Sequence, residues 1–484
     1  MPGRELAEAR RLIHAARREV DPRSEWSAEL AACERRLDEP LRVALAGTLK
    51  SGKSTLLNAL IGDEIAPTDA TECTRVVTWF QQAAAPRIDL VARGQQRRLP
   101  VLRTDGHLTL DLGVPADAVE RLTVSWPSSL LNDYTVIDTP GTSSNSRDVS
   151  ERTLALLAPE DGPCEADAVV YLMRDLRDAD VQLLQSIHHQ MTIGAGPLGV
   201  LGVLSRADEI DGGRGDSLDA AYRVSAALAE APELRGLHQS FLPVSGLLAL
   251  RGQTLRQSEF LALRSLASLP PGALDAALIS VARFTAPEAP LPVPAGERRL
   301  LVEAFGLFGI RLAVSMIRAG CADAPALSAE LVRRSGLGDL RRTINIRFGE
   351  RNEQLRAYSA LSRLAHILNR YRSTATVELS RQVARSLADT HTFAELRLLS
   401  TIRANRLSEP DRARAARILG GEGIAPQRRL GLPAEASRAE CRAVALQAIR
   451  HWRGQLDNPL LDPLTAATCR AAARSCETII AAGN

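Results

Sequence analysis

Residues 41–61, LRVALAGTLKSGKSTLLNALI, constrain the fold more than any other stretch of this chain. A short apolar run ends at Gly47, a glycine-bracketed loop follows, and a helical pattern resumes at Lys53. Gly47-Thr-Leu-Lys-Ser-Gly52-Lys53-Ser54 fits G-x-x-x-x-G-K-[ST], with a predicted strand before it and a predicted helix after it, the context this motif needs. The glycines let backbone N–H groups close around an anion, and a helix N-terminus favours negative charge. Composition sharpens the point. Of 60 basic residues among 484, only Lys50 and Lys53 are lysine. A compact ammonium at Lys53 can reach the β- and γ-phosphates of a nucleotide, where a planar guanidinium fits poorly, and the Ser54 hydroxyl can ligate Mg²⁺. Gly47, Ser51, Gly52 and Thr55 complete the expected cradle.

From about 41 to 250, short apolar runs alternate with helical stretches, which predicts a mixed, mostly parallel sheet wound by helices. Strands are expected at 41–47, 76–80, 87–92, 122–126, 134–139, 168–173, 199–204 and 240–245. A hairpin turning at Asp105-Gly106 is expected to add to that sheet. Beyond 250 strand signals nearly vanish, and Pro-rich connectors at 268–273 and 287–296 separate helical segments, among them 338–370. Three regions follow: helices over 1–39, an α/β P-loop nucleotide-binding domain over 40–350 with a helical insertion at about 250–330, and an all-α region over 351–484. Charge divides at the last boundary, because residues 351–484 hold 21 Arg against 12 Asp or Glu. The stripe of Leu6, Leu12, Ile13, Ala16 and Val20 needs an apolar partner, which the C-terminal helices can supply.

Three more elements select the nucleotide. Val136-Ile-Asp-Thr-Pro-Gly141 ends a strand in D-x-P-G, so Asp138 can hold Mg²⁺ through a water and the Gly141 N–H can sense a γ-phosphate. Leu204-Ser-Arg-Ala-Asp208 closes another strand as [TS]-[KR]-x-D, beginning at Ser205. The Asp208 carboxylate can accept from both N1–H and the 2-amino group of guanine, a pair of donors adenine lacks, while Arg206 lies along the base. Ser245-Gly246 follows a further strand and can offer a backbone N–H to guanine O6. GTP or GDP with Mg²⁺ is therefore expected rather than ATP. A switch threonine should cap the Mg²⁺; Thr68, Thr71, Thr74 and Thr78 are available, and Thr74 is chosen because it immediately precedes a strand. No glutamine follows D-x-P-G, where Thr142, Ser143 and Ser144 stand, so low intrinsic turnover raised by dimerisation is expected.

Other classes recede. The N-terminal stretch has no apolar core of signal-peptide type, and no uncharged apolar run reaches transmembrane length. Seven scattered cysteines without C-x-x-C favour reduced cytosolic thiols over disulfides or zinc. A net charge of +3, with few aromatics in the basic C-terminal region, does not point to nucleic acid. Leu300–Ile317 is the most apolar helical stretch, read as a buried helix with a lipid-inserting tip as the alternative. The arginines of 411–417 and Arg428-Arg429 are candidate contacts for anionic lipid, against the commoner reading of a solvated face.

GTLKSGKSTLLNAL, PTDATECT, DTPGTSS and LSRADE, flanked by helical segments on both sides, together resemble the dynamin-like large GTPases of bacteria, and more narrowly their actinobacterial isoniazid-induced branch. The resemblance implies a mechanochemical GTPase. Helices from both termini would form a neck, and GTPase domains would self-associate across the nucleotide. It further implies action at an anionic membrane, with a cytoplasmic location peripheral to the inner face of the plasma membrane. Two departures matter. Lys50 stands where eukaryotic dynamins carry a serine that helps bind a catalytic monovalent cation; it either replaces that cation as a catalytic charge or points to solvent. The region after position 350 is short for a full stalk plus a lipid-binding domain, which suggests partnership with a longer dynamin-like paralogue. A nucleotide-gated regulatory subunit with little turnover of its own is the competing reading.

Overall fold

The apolar runs pair into one nine-stranded sheet. The strands are β1 (Leu41–Gly47), β2 (Thr78–Gln82), β3 (Arg87–Ala92), β4 (Gln95–Leu99), β5 (Leu102–Thr104), β6 (His107–Thr109), β7 (Val119–Trp126), β8 (Tyr134–Asp138), β9 (Ala168–Met173), β10 (Val200–Ser205) and β11 (Ser240–Val244). Their order is β11-β10-β9-β1-β8-β2-β7-β3-β4, with β5 and β6 apart as a two-stranded sheet. The half from β11 to β8 is parallel throughout; β2 runs antiparallel to β8, and β3 and β4 continue antiparallel beyond β7. This computed structural model describes residues 3–21, 23–67, 75–104, 107–141, 147–159, 162–212 and 217–482.

Burial explains the sequence pattern strand by strand. AVVYLM of β9 is buried at every position, as a central parallel strand covered on both faces must be. QQRRL of β4 is mostly exposed and pairs only with β3, so this edge strand carries no apolar alternation and escapes prediction. The hairpin requires a correction, because β5 and β6 form their own small sheet. Arg103 of β5 places one guanidinium nitrogen 2.9 Å from both oxygens of Asp63, and the Trp126 indole donates to the same carboxylate at 3.1 Å. Arg103 also lies 5.1 Å from the centre of that indole ring. These bonds tether the hairpin to the segment after the phosphate-loop helix; its turn residues Asp105 and Gly106 lie outside the described residues.

The N-terminal helices find their apolar partner near the other end of the chain. Helix Arg4–Arg18 buries Ala9, Leu12, Ile13 and Ala16, and helix Glu25–Arg35 buries Leu30 and Cys33. Both pack on helix Asn352–Arg370, which buries Leu355, Leu361, Leu364 and Leu368. Fully burying Leu12 and Ile13 contributes on the order of 1.5–3 kcal/mol each. Directional contacts set the register. The Cys33 thiol donates to the Ala360 carbonyl at 3.2 Å, Arg356 donates to the carbonyls of Leu37 and Glu39 at 3.0 Å, and Trp26 stacks on Tyr371 at 3.9 Å. The stretch 338–370 is two helices, Leu337–Arg347 and Asn352–Arg370, joined by a 3₁₀ turn at Gly349–Arg351. Phe348 is buried at this break, so close to Gly199 that an added Cβ there would meet its ring at 2.5 Å.

Helix Ala295–Arg318 is long and apolar enough to cross a membrane, yet 56% of its apolar window is buried inside the protein. Leu301, Phe305, Ile310 and Val314 share a core with Phe260, Leu274, Phe284 and Leu327. Buried Arg298 donates to the carbonyls of Phe284 and Ala286, and Arg311 donates to that of Leu278. Gly306, at φ 63°, kinks the helix. Arg429 is likewise turned inward onto Glu395, while Arg428 pairs with Glu350 at 3.2 Å. Six of the seven cysteines are described and all six are free; Cys73 lies outside the described residues.

His238, at the start of the β11 segment, is buried beside Phe241, and burial pushes its pKa down to about 4 from an ordinary 6.5. A base held neutral in the fold is protonated more readily when unfolded, so stability is complete above pH 6.5 and declines towards pH 4. The shift corresponds to about 3 kcal/mol. Urea midpoints should fall between pH 7 and pH 4.5, and the fall should be smaller in His238→Phe; an unchanged pH slope in that variant would count against this assignment.

Candidate nucleotide-binding site

β1 delivers the phosphate loop at its C-terminal end, between β8 and β9. Gly47 has φ 146°, and a Cβ there would lie 2.1 Å from the carbonyl oxygen of Leu172 on β9, so this turn into the loop requires glycine. Gly52 has a left-handed φ of 87° and caps the helix Lys53–Ile61. Lys50 is exposed and has φ 61°, an uncommon backbone region for a residue with a side chain. Gly141 packs against the same loop from the end of β8, where an added Cβ would stand 2.7 Å from the Cα of Leu49.

The loop surrounds its buried lysine. The Lys53 ammonium donates to the carbonyls of Gly47 and Thr48 at 3.0 and 3.1 Å. Burial pushes it down to about 8, against the pull of Asp138. Burial also raises Asp138 to about 6, opposed by Lys53 and by the Ser54 hydroxyl, which donates to its Oδ2 at 3.1 Å. Asp138 Oδ1 and the Ser51 hydroxyl are buried without a hydrogen-bond partner among the described residues. Two polar groups are therefore desolvated and unsatisfied beside an ammonium, which is costly unless a ligand or water completes them.

The other predicted elements end at the same edge of the sheet. Ser205 finishes β10 and donates to the Met173 carbonyl at 3.1 Å. Arg206 takes a left-handed φ of 53°, and its guanidinium bonds Glu209 at 2.7 Å. Asp208 is buried, which raises its carboxyl pKa, while a hydrogen bond with Ser245 opposes the shift. Ser245 caps the helix Gly246–Thr254 by accepting from the Leu248 N–H at 3.2 Å. Gly246 lies close to the phosphate-loop helix, where an added Cβ would be 3.3 Å from Leu56 N. One open cleft of about 140 Å³ is lined by Ser51, Gly52, Thr55, Arg206, Asp208 and Gly246 together with apolar residues including Leu172 and Val203. Segments roughly 200 residues apart in sequence thus share a single pocket at the C-terminal ends of parallel strands, the usual ligand position in such sheets.

Thr74, Thr68 and Thr71 lie outside the described residues, as do Thr142, Ser143 and Ser144. Thr78 is a buried residue of β2 whose hydroxyl donates to the Val76 carbonyl. Glu209 was not anticipated as part of the site. It lines the cleft and also bonds Arg174 at 2.8 Å, so it restrains the residue predicted to lie along the base. Its signal is an acid three positions after Arg206, a spacing that closes within one turn.

Residues 43–193 match the model of the Dynamin family. Over 451 residues the chain is 47% identical to the isoniazid-induced protein IniC of Mycobacterium tuberculosis, covering 92% of this chain and 91% of IniC. The isoniazid-induced protein IniA of the same organism is 30% identical over 189 residues, 36% of this chain and 28% of IniA. A solved structure of an oligomerised bacterial dynamin pair, described with long-range sensing and tethering of membranes, aligns with 99% of this chain and 79% of its own. It does so at 12% identity with a TM-score of 0.33. The cleft thus sits in a dynamin-family GTPase domain, which implies binding of GTP and GDP, and the chain belongs to the dynamin family as a member of its IniC group.

Proposed function

We propose that this chain binds GTP with Mg²⁺ and hydrolyses it, coupling nucleotide-dependent association of its GTPase domains to remodelling or maintenance of a membrane. The observation that carries this reading is the convergence of Ser51 and Gly52 with Arg206 and Asp208 in one cleft. Gly47, Ser51, Gly52, Lys53 and Thr55 cradle the phosphates, with Gly141 facing the terminal one. Asp208 accepts from guanine, Arg206 lies along the ring, Ser205 and Ser245 support the Asp208 loop, and Gly246 offers its N–H. The Ser54 hydroxyl and the unpartnered Asp138 oxygen are hard donors suited to a magnesium ion and its waters, with Thr74 as the switch ligand. When bound, that ion would supply positive charge to offset that of the phosphates.

The helices of 1–39 and 351–484 act as the neck and stalk region. The chain works in the cytoplasm, peripheral to an anionic membrane face. A longer dynamin-like paralogue is a suitable partner; IniA, of which a smaller share is covered by the common segment, is a longer relative. A regulatory subunit with little turnover is the competing reading, favoured by the missing glutamine after Gly141.

Phosphate release measured against protein concentration separates the two. The GTPase reading predicts a specific rate that is low in dilute solution and rises with concentration. A high rate independent of concentration contradicts association-driven turnover, and no release at any concentration favours the regulatory subunit. Exposed Lys50, held at positive φ in the loop, is proposed to contribute a catalytic charge across the nucleotide. Lys50→Ala should therefore lower stimulated hydrolysis more than GTP affinity, whereas equal loss of both, or of neither, refutes that role.

A further inference from the structure

A second polar recess lies outside the nucleotide cleft. It is a groove of about 1370 Å³ where helix Arg4–Arg18, helix Thr374–Asp389 and helix Pro463–Ala482 meet over the start of helix Asn352–Arg370. That volume exceeds what a single phosphate or carboxylate fills. The acids around it are largely paired within the chain. Glu8 bonds Arg11, Glu350 bonds Arg428, and Glu395 bonds Arg351 and Arg429; Glu353 accepts from the Gly3 N–H and Glu5 from the Thr392 hydroxyl, and Asp389 is the exception.

Three arginines are not paired. Arg4, Arg385 and Arg474 each come from a different helix, line the groove, and make no guanidinium hydrogen bond or ion pair with any described residue. Converging guanidinium groups with vacant donors suit an acceptor-rich, multiply charged ligand, and arginine forks match phosphate geometry in particular.

We propose that this groove binds a small anion carrying several phosphate groups, either free in solution or displayed as lipid headgroups. The ligand bridges the N-terminal helix to the C-terminal helical layer, so its binding also ties the two ends of the chain together.

The test uses the full chain with saturating GDP, which keeps the nucleotide cleft filled. Tripolyphosphate is titrated calorimetrically, and sedimentation is measured with vesicles of phosphatidylcholine and phosphatidylglycerol in equal parts. The double variant Arg385→Ala/Arg474→Ala is compared with wild type and with Arg98→Ala, an exposed arginine on the distant edge strand β4. Both altered side chains are exposed, so folding should be retained, and thermal melting checks this. Affinity should fall at least about tenfold in the double variant and remain unchanged in Arg98→Ala. Groove-dependent binding of tripolyphosphate alone assigns a free ligand, and groove-dependent vesicle binding assigns a headgroup. No binding of either probe by wild type, equal affinity in the double variant, or equal loss in Arg98→Ala overturns the proposal.

Discussion

Replacing Asp208 by Asn is expected to weaken GTP and GDP binding about 100-fold, on the order of 3 kcal/mol. The carboxylate accepts from two guanine donors, whereas an amide can accept from N1–H but turns its own NH₂ against the 2-amino group. That loses a charge-assisted pair and leaves two donors facing each other in a buried place. Asp208 is already desolvated, with its carboxyl pKa raised by burial, so little water is present to relieve the mismatch. Xanthine carries an oxygen where guanine has the amino group, so the same variant should gain affinity for xanthosine diphosphate. Fluorescence titration with both nucleotides checks this; parallel loss of both would show a damaged loop rather than an altered reader.

Lys53→Ala is expected to reduce nucleotide affinity and hydrolysis by about 100-fold or more, because a buried ammonium among backbone dipoles is a strong phosphate contact. Its ammonium donates to the carbonyls of Gly47 and Thr48. Burial has lowered its pKa to about 8 against the pull of Asp138, so further negative charge would favour its protonated form. Phosphate oxygens would supply that charge. Lys53→Arg should not restore binding, since the space between Gly47, Thr48 and Gly141 accommodates a compact head. Equilibrium binding with melting curves as a folding control is the measurement, and substantial recovery in the arginine variant would contradict this account.

The parts of this fold that were legible in the sequence are those written locally. Strand, glycine-bracketed loop and helix are consecutive around Gly47–Ile61, and the runs ending at Asp138, Ser205 and Val244 are continuous apolar strands. β4 was illegible because an exposed edge places no demand on side-chain alternation. The hairpin is visible as a hairpin, but its attachment through Arg103 to Asp63 depends on a residue 40 positions away. The inward turn of Arg429 is a longer-range case. Burial alone would raise the Glu395 carboxyl, yet bonding to His391 and the charges of Arg429 and Arg351 hold it at about 2. That network gathers residues separated by tens of positions, so Arg428-Arg429 reads in sequence as a surface basic pair. In the site, the left-handed backbone of Arg206 and its restraint by Glu209 are likewise products of tertiary structure.

The central claim is that one site reads guanine through Asp208 and grips phosphate through the loop around Lys53. Calorimetric titration of the wild-type chain with GDP and with ADP, each with Mg²⁺, tests it most directly. The account predicts saturable one-to-one binding of GDP with affinity at least about 100-fold above that for ADP. Equal affinity for the two nucleotides, or no binding of GDP, would contradict it.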